Sequence, residues 1–333
     1  MTFDETFEVL ARPPTSFAII AFIRMSLRDR LTVVTVAATG DKDTLYSDLL
    51  RNSITHYARI ADAPRYVVHA LDNRTFSLCA AAASSAVTCV RAPCCTRDPF
   101  HSSRLRLSAL KKARTPRAEL PNLQWKEEVL NYKLRAMQIE LRAAKGAVLV
   151  LDLDALITHA ACFEEISEYA EPIVMQGGGY PGCPTSTYST LGINPNTGVM
   201  MMRRAALPFL DALLLTRANR FVYHHTCFEQ ELFASGVLAA EPRWHDFPNV
   251  LAITASGGEA LQIRFLNYSR FPAHLNGKAL QLIVDNRLDK AAPTRRTVSF
   301  PLLRNASKRC VYHDLGNSKT NRTWIERGVW FVG

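Results

Sequence analysis

Residues 31–39 (LTVVTVAAT) form an unbroken β-branched and apolar run that Gly40-Asp41 interrupts, the pattern of a buried strand entering a loop. Residues 43–60 read as a helix, and 65–71 (RYVVHAL) as a second strand ending at Asp72-Asn73. Two strands joined through a helix predict a parallel βαβ unit. Residues 75–120 are rich in Ala, Ser and Cys and then basic, with Pro93, Pro99 and Pro116 and with Pro121 just beyond, and read as an insertion or loop. From Leu123 to Lys145, Leu130, Leu134, Met137 and Leu141 recur on one face of a long amphipathic helix. Gly146 ends it, and 147–153 (AVLVLDL) is a nearly continuous apolar strand, as at the centre of a parallel sheet. Further strands are expected at 173–176 and 198–202, a Gly/Pro/Ser/Thr loop at 177–190, and helices at 205–218 and 227–236. Met200-Met201-Met202 reads as strand core.

The whole is one α/β domain over 31–285 carrying the basic insertion 75–120, with an N-terminal extension (1–30) and a basic C-terminal one (286–333). No apolar run approaches the ~18–20 residues of a membrane span; the longest, Ser16 to Ile23, stops at Arg24. Asp4, Glu5 and Glu8 stand where a secretory signal would be basic. The expectation is a nuclear or cytoplasmic protein. The eight cysteines form no C-x-x-C and no zinc spacing, so free thiols in a reducing compartment are expected. Sequons at Asn73, Asn267, Asn305 and Asn321 matter only in a secreted chain.

Charge adds a further constraint. The chain carries a net +10, and it is concentrated: residues 91–145 hold 13 Lys/Arg against 5 Asp/Glu, and 286–327 hold 10 against 3. Two basic segments flank a slightly acidic remainder, which suits contact with a polyanion such as DNA or an acidic small molecule.

The feature that points to chemistry is Asp152-Leu153-Asp154 at the end of the central strand. Alternation puts both carboxylates on one side, at the edge where α/β sheets bind ligands. Two hard oxygen ligands there suit Mn²⁺ or Mg²⁺ together with substrate phosphates; the alternative is a pair of loop-capping aspartates. Gly177 to Gly182 formally matches a dinucleotide fingerprint, but Pro181 and Pro184 prevent the helix it must open.

Basic helix, Gly146, apolar strand, Asp152-Leu153-Asp154 and Asn196-Thr197-Gly198-Val199-Met200-Met201 together resemble the nucleotide-diphospho-sugar transferase family with the GT-A fold. Glu229-Gln230, His245-Asp246-Phe247-Pro248-Asn249 and His274-Leu275-Asn276-Gly277-Lys278 continue the resemblance, which covers about residues 31–280. It implies a GT-A, Rossmann-like mixed and mainly parallel sheet flanked by helices. It also implies a metal-dependent glycosyltransferase using a UDP-sugar such as UDP-glucose. Asp152, Asp154 and His274 would hold the metal; Arg135, Asp152, Asn196, Gly198 and Lys278 would contact the donor. Glu229, Gln230 and Asp246 would lie at the reacting centre, with Glu229 or Asp246 as base if the product inverts. Glu229 departs from the family's Asp and Arg135 from its Lys, although Lys133 is close by. Thr226-Cys227-Phe228-Glu229 is equally a capping box.

For the acceptor, the basic flanks favour hydroxymethyluracil in DNA, the acceptor of the kinetoplastid base J glucosyltransferases in this family. Protein or glycan hydroxyls, cytosolic or in the secretory pathway, are the alternative. A sugar-nucleotide-binding module without turnover and a nucleotidyltransferase complete the set.

Overall fold

The computed structural model describes residues 26–39, 44–92, 120–178, 190–219, 228–255, 257–272, 280–286, 294–300 and 309–313. The first strand, β1 (Leu31–Ala37), is buried along its whole length, as its apolar run requires. It is preceded by the short helix α1 (Leu27–Arg30) and followed by α2 (Thr44–Arg59) and β2 (Arg65–Ala70). β1 and β2 pair in parallel, the expected βαβ unit.

The start of the 75–120 segment, read from the sequence as a loop-like insertion, instead belongs to α3 (Asn73–Ala82) and β3 (Val87–Arg91). Asp72 caps α3, its carboxylate accepting from the Thr75 amide at 2.7 Å. The Ala/Ser/Cys composition concealed this helix because its apolar stripe is short: Thr75 and Cys79 are its buried residues.

The long helix α4 (Leu120–Ala143) leads into β4 (Ala147–Leu151), which is followed by β5 (Ala155–Ile157) and α5 (Ala160–Glu168). Gly146 is required at the turn, because a Cβ there would collide with the Arg30 backbone. The chain continues through β6 (Ile173–Gly178), β7 (Asn194–Met202), α6 (Leu207–Asn219), α7 (Phe228–Ala239), β8 (Arg243–Asp246), β9 (Val250–Thr254) and β10 (Ala260–Phe265). A hairpin of β11 (Leu280–Asn286) and β12 (Thr294–Phe300) and the short β13 (Val311–His313) complete it.

Nine strands make one sheet in the order β3-β2-β1-β4-β7-β6-β10-β9-β8. The pairs β3·β2, β2·β1, β1·β4 and β6·β10 are parallel, and β7, β9 and β8 pair antiparallel to their neighbours. This is the expected mixed, mainly parallel sheet flanked by helices. Alternation divides its core into two layers. Val34, Val150 and Met200 face Leu134 and Met137 of α4 on one side. Val33, Leu149 and Met201 join Leu50 of α2 and Phe163 of α5 on the other. The three methionines are strand core. The strand order reverses between β1 and β4, so their carboxyl ends open a crevice at the switch point.

Among the described residues, two disulfides, Cys79–Cys89 and Cys162–Cys310, take four of the eight cysteines expected from the sequence to be free thiols. The first joins α3 to β3. The second joins α5 to the residue preceding β13, across 148 positions of chain. The sequence concealed both, since neither pair has a recognisable motif spacing and the partners meet only when the strands are in place.

Candidate metal centre

β4 ends at Leu151, so Asp152 and Asp154 stand in the turn between β4 and β5, on the carboxyl edge beside the switch point. The turn is held by Asp152 N–H donating to Gly198 O (2.8 Å) and Ala155 N–H donating to Asp152 O (2.9 Å). Asp154 is buried and Asp152 is partly open, with 23% of its side chain exposed.

The third member of the cluster is His313. The β13·β5 ladder places it opposite Ala155, one residue beyond Asp154. Its Nε2 lies 3.8 Å from Asp152 Oδ2 and 3.9 Å from Asp154 Oδ1, too far for hydrogen bonds. All three ligand atoms lie within 4.8 Å of one another.

The imidazole's orientation follows from Gln176 at the end of β6. Gln176 Nε2 donates to the carbonyls of Phe271 and Pro272, both at 3.3 Å, so its Oε1 faces His313 and accepts from Nδ1–H at 3.1 Å. With a proton on Nδ1, Nε2 of His313 is turned towards the carboxylates as the nitrogen that would ligate a metal, an arrangement supported from behind. Gly198 leaves room for it: a Cβ there would come within 2.9 Å of both Asp152 Oδ2 and His313 Nε2. Two carboxylates and one imidazole around a space that a methyl group would fill fit a divalent cation such as Mn²⁺.

Behind Asp152 sits a buried cation. Lys133 of α4 reaches Asp152 Oδ1 at 2.7 Å and Glu229 Oε1 at 2.5 Å. Thr197 Oγ1 donates to the same Glu229 oxygen at 2.9 Å. Burial pulls the Lys133 ammonium towards its neutral form, but Asp152 and Glu229 outweigh it and hold the amine above the ordinary lysine value. Thr197 and Gly198 can enter because β7 bulges: Met175 pairs with Met200, yet Gln176 pairs with Asn196. Asn196 secures the bulge, its Oδ1 accepting from Gly198 N–H at 2.8 Å.

The structure thus gathers Asp152, Asp154, Asn196, Gly198 and Glu229 of the residues singled out in the sequence, and Gln230 follows Glu229 on α7. Arg135 is not among them. It lies on another face of α4 and donates to Gln138 Oε1 at 2.7 Å, while Lys133 occupies the place beside Asp152. Asp246 stands on β8, the sheet's far edge, and accepts from Asn249 Nδ2 at 3.1 Å. Four strands separate β8 from β4, about 24 Å at ordinary interstrand spacing. His274, Lys278 and Thr226 lie outside the described residues.

Sequence reasoning misses His313 because the family's closing motif is matched by 274–278. Its one local signal is Cys310-Val311-Tyr312-His313, a strand-like tetrad in an otherwise basic tail. Among the described residues a second cluster, His159, Cys162 and Cys310, has the donor types of a metal site, but both its sulfurs are joined to each other.

Fold and site together define an α/β protein with an Asp-Asp-His cluster at the switch point of its sheet. No protein-family model and no curated protein matches the sequence. Solved structures with a similar layout include mouse xyloside xylosyltransferase 1 in its apo form, with TM-score 0.46 and 12% identity over 74% of this chain and 88% of that one. An active-site mutant of LgtC gives 0.43 and 12% over 86% and 88%. CMP:2-keto-3-deoxy-manno-octonic acid synthetase with CTP gives 0.35 and 10% over 71% and 89%. At such low similarity, any assignment of function rests on the site's own residues.

Proposed function

We propose that the protein is a metal-dependent glycosyltransferase that moves a sugar from a nucleotide-sugar donor, a UDP-hexose, to an acceptor hydroxyl. The observation that carries this is the Asp152–Asp154–His313 cluster at the carboxyl end of β4, with the Nε2 of His313 turned towards both carboxylates. A divalent cation held there supplies positive charge to the diphosphate as the sugar leaves.

The chain's own residues do the rest. Lys133 fixes Asp152 through Oδ1, which leaves Oδ2 on the His313 side. Glu229 and Thr197 fix Lys133 in turn, so Glu229 serves as a positioning residue rather than a base. Asn196 shapes the bulge against which the donor sugar lies, and Gln230, next to Glu229 on α7, keeps its reading at the reacting centre. Lys278 keeps its reading as a donor contact, and His313 takes the metal-ligand place that the sequence reading gave to His274.

For the acceptor, the disulfides change the balance. Structural disulfides persist in oxidising compartments, and Cys79, Cys162 and Cys310 are fully buried. A glycan or glycoprotein hydroxyl of the secretory pathway is therefore favoured over hydroxymethyluracil in nuclear DNA. Among the described residues, no helix is long and apolar enough to cross a membrane.

The test is UDP release from a panel of UDP-sugars with and without Mn²⁺, for wild type and Asp154→Ala. Separate reactions contain glycan acceptors or duplex DNA bearing hydroxymethyluracil. Metal-dependent release, stimulated by a glycan and absent from Asp154→Ala, is the expected result. Stimulation by the modified DNA alone would reverse the acceptor assignment. No release by folded protein from any donor would overturn the transferase reading.

A further inference from the structure

The metal ligand His313 is delivered by a very short strand. β13 has three residues, belongs to a two-stranded sheet with β5, and is separate from the main sheet. A one-residue slip of so short a ladder would turn His313 to the opposite face. What holds the strand's start is the Cys162–Cys310 bond. Cys310 immediately precedes β13, Cys162 sits in the first turn of α5, and α5 follows β5 directly. The covalent tie therefore joins the two chain segments that the ladder pairs.

Around it the backbone is fastened at one level. Cys310 N–H donates to Arg270 O at 2.7 Å, and Thr158 N–H donates to Cys310 O at 3.0 Å. Thr158 Oγ1 donates to Arg309 O at 2.6 Å. Three residues on, about 10 Å of extended chain, His313 meets Gln176 and the two aspartates. Cys162, Cys310 and His313 are all fully buried, so small displacements of the strand are transmitted rather than absorbed by solvent.

We propose that the Cys162–Cys310 disulfide sets the register of β13 and so places His313 in the metal centre, making divalent-cation affinity depend on this bond. Cys162 and Cys310 are then positioning residues for a metal ligand; the proposal rests on the metal centre described above. The other disulfide, Cys79–Cys89, lies at the β3 edge of the main sheet, away from β5 and β13, and provides the control.

The experiment compares wild type, Cys162→Ser/Cys310→Ser, Cys79→Ser/Cys89→Ser, His313→Ala and the combined Cys162→Ser/Cys310→Ser/His313→Ala protein. Mn²⁺ affinity is measured by titration calorimetry, and amide hydrogen exchange across 309–313 is measured without metal. Loss of Cys162–Cys310 is expected to weaken Mn²⁺ binding at least tenfold and to speed exchange at 311–313. Adding His313→Ala should then cost less than twofold more, and loss of Cys79–Cys89 should leave affinity within twofold of wild type. Unchanged Mn²⁺ affinity in folded Cys162→Ser/Cys310→Ser protein would overturn the proposal, as would effects of that pair and His313→Ala that simply multiply. Wild type that binds no Mn²⁺ would remove the metal centre and with it the claim about affinity. The exchange data would still decide by themselves whether the bond holds His313, and unchanged exchange would refute it.

Discussion

Lys133 places an ammonium between two carboxylates inside the protein, and removing that charge alone should be costly. Lys133→Met keeps the length of the stem and deletes the charge. Lys133 retains 3% of its side-chain exposure and Glu229 7%, whereas Asp152 keeps 23%. Breaking a buried pair by removing one partner costs ~3–5 kcal/mol, because the remaining charge is left without compensation. Glu229 bears most of this, while solvent at Asp152 screens part of its share. The expected loss is about 3–4 kcal/mol, read by urea unfolding in chelator-treated buffer at neutral pH with an unchanged m-value. Lys133→Met/Glu229→Gln should recover more than half of it, since the double variant leaves one fewer buried charge unpaired. The amine's folded value lies above its unfolded one. The stabilisation is thus complete below the unfolded lysine value and is lost only as pH climbs through the higher folded value. The gap between wild type and Lys133→Met should therefore stay constant from pH ~7 to ~9. A loss below about 1 kcal/mol, in the range of an exposed pair, would refute the assignment of Lys133 as the buried counter-ion.

Three further outcomes are expected. Gly198→Ala introduces a methyl group into the space between Asp152 and His313, and should weaken Mn²⁺ binding at least tenfold by calorimetry while costing about 1–3 kcal/mol of stability through overpacking. Gln176→Leu removes the acceptor that holds the His313 tautomer, and should weaken Mn²⁺ binding by ~10–100-fold, the usual effect of losing such support. His56, buried on α2, hydrogen-bonds through Nε2 to Ile157 O of β5 at 2.6 Å, and burial lowers its pKa. The unfolded chain then binds its proton more readily, so stability should fall as pH drops below about 6.5; urea midpoints against pH should show a shallower decline in His56→Asn.

The candidate site divides sharply by the range of the interactions that build it. Asp152-Leu153-Asp154 was legible because its signal is local: an apolar run, a break, and carboxylates at the break. The interior of β1, β2 and β4 and the methionine run of β7 followed from the same short-range pattern. Lys133 was within reach too. It stands four residues before Met137, on the core-facing stripe of α4, whereas Arg135 is turned well away from that stripe. Helical phase alone separates the two, whereas the resemblance to a family pattern points to position 135.

Long-range pairing decided the remainder. Residues 73–91 carry too short an apolar stripe to declare α3, and β3 is recognisable only once it pairs with β2 at the sheet's edge. Asp246 sits in a motif that reads like part of the site, yet the strand order carries β8 to the far edge. Cys79–Cys89 and Cys162–Cys310 could not be read from spacing, since eight cysteines allow 105 complete pairings. His313 is the plainest case. By itself the sequence determined a strand-end acidic pair suited to a divalent cation, because burial and alternation act between near neighbours. Only the tertiary structure, through the β5·β13 register, the bulge at Gly198 and the Gln176 hydrogen bond, determined which imidazole faces that pair. Those contacts join chain segments far apart in sequence, and no local preference encodes their meeting.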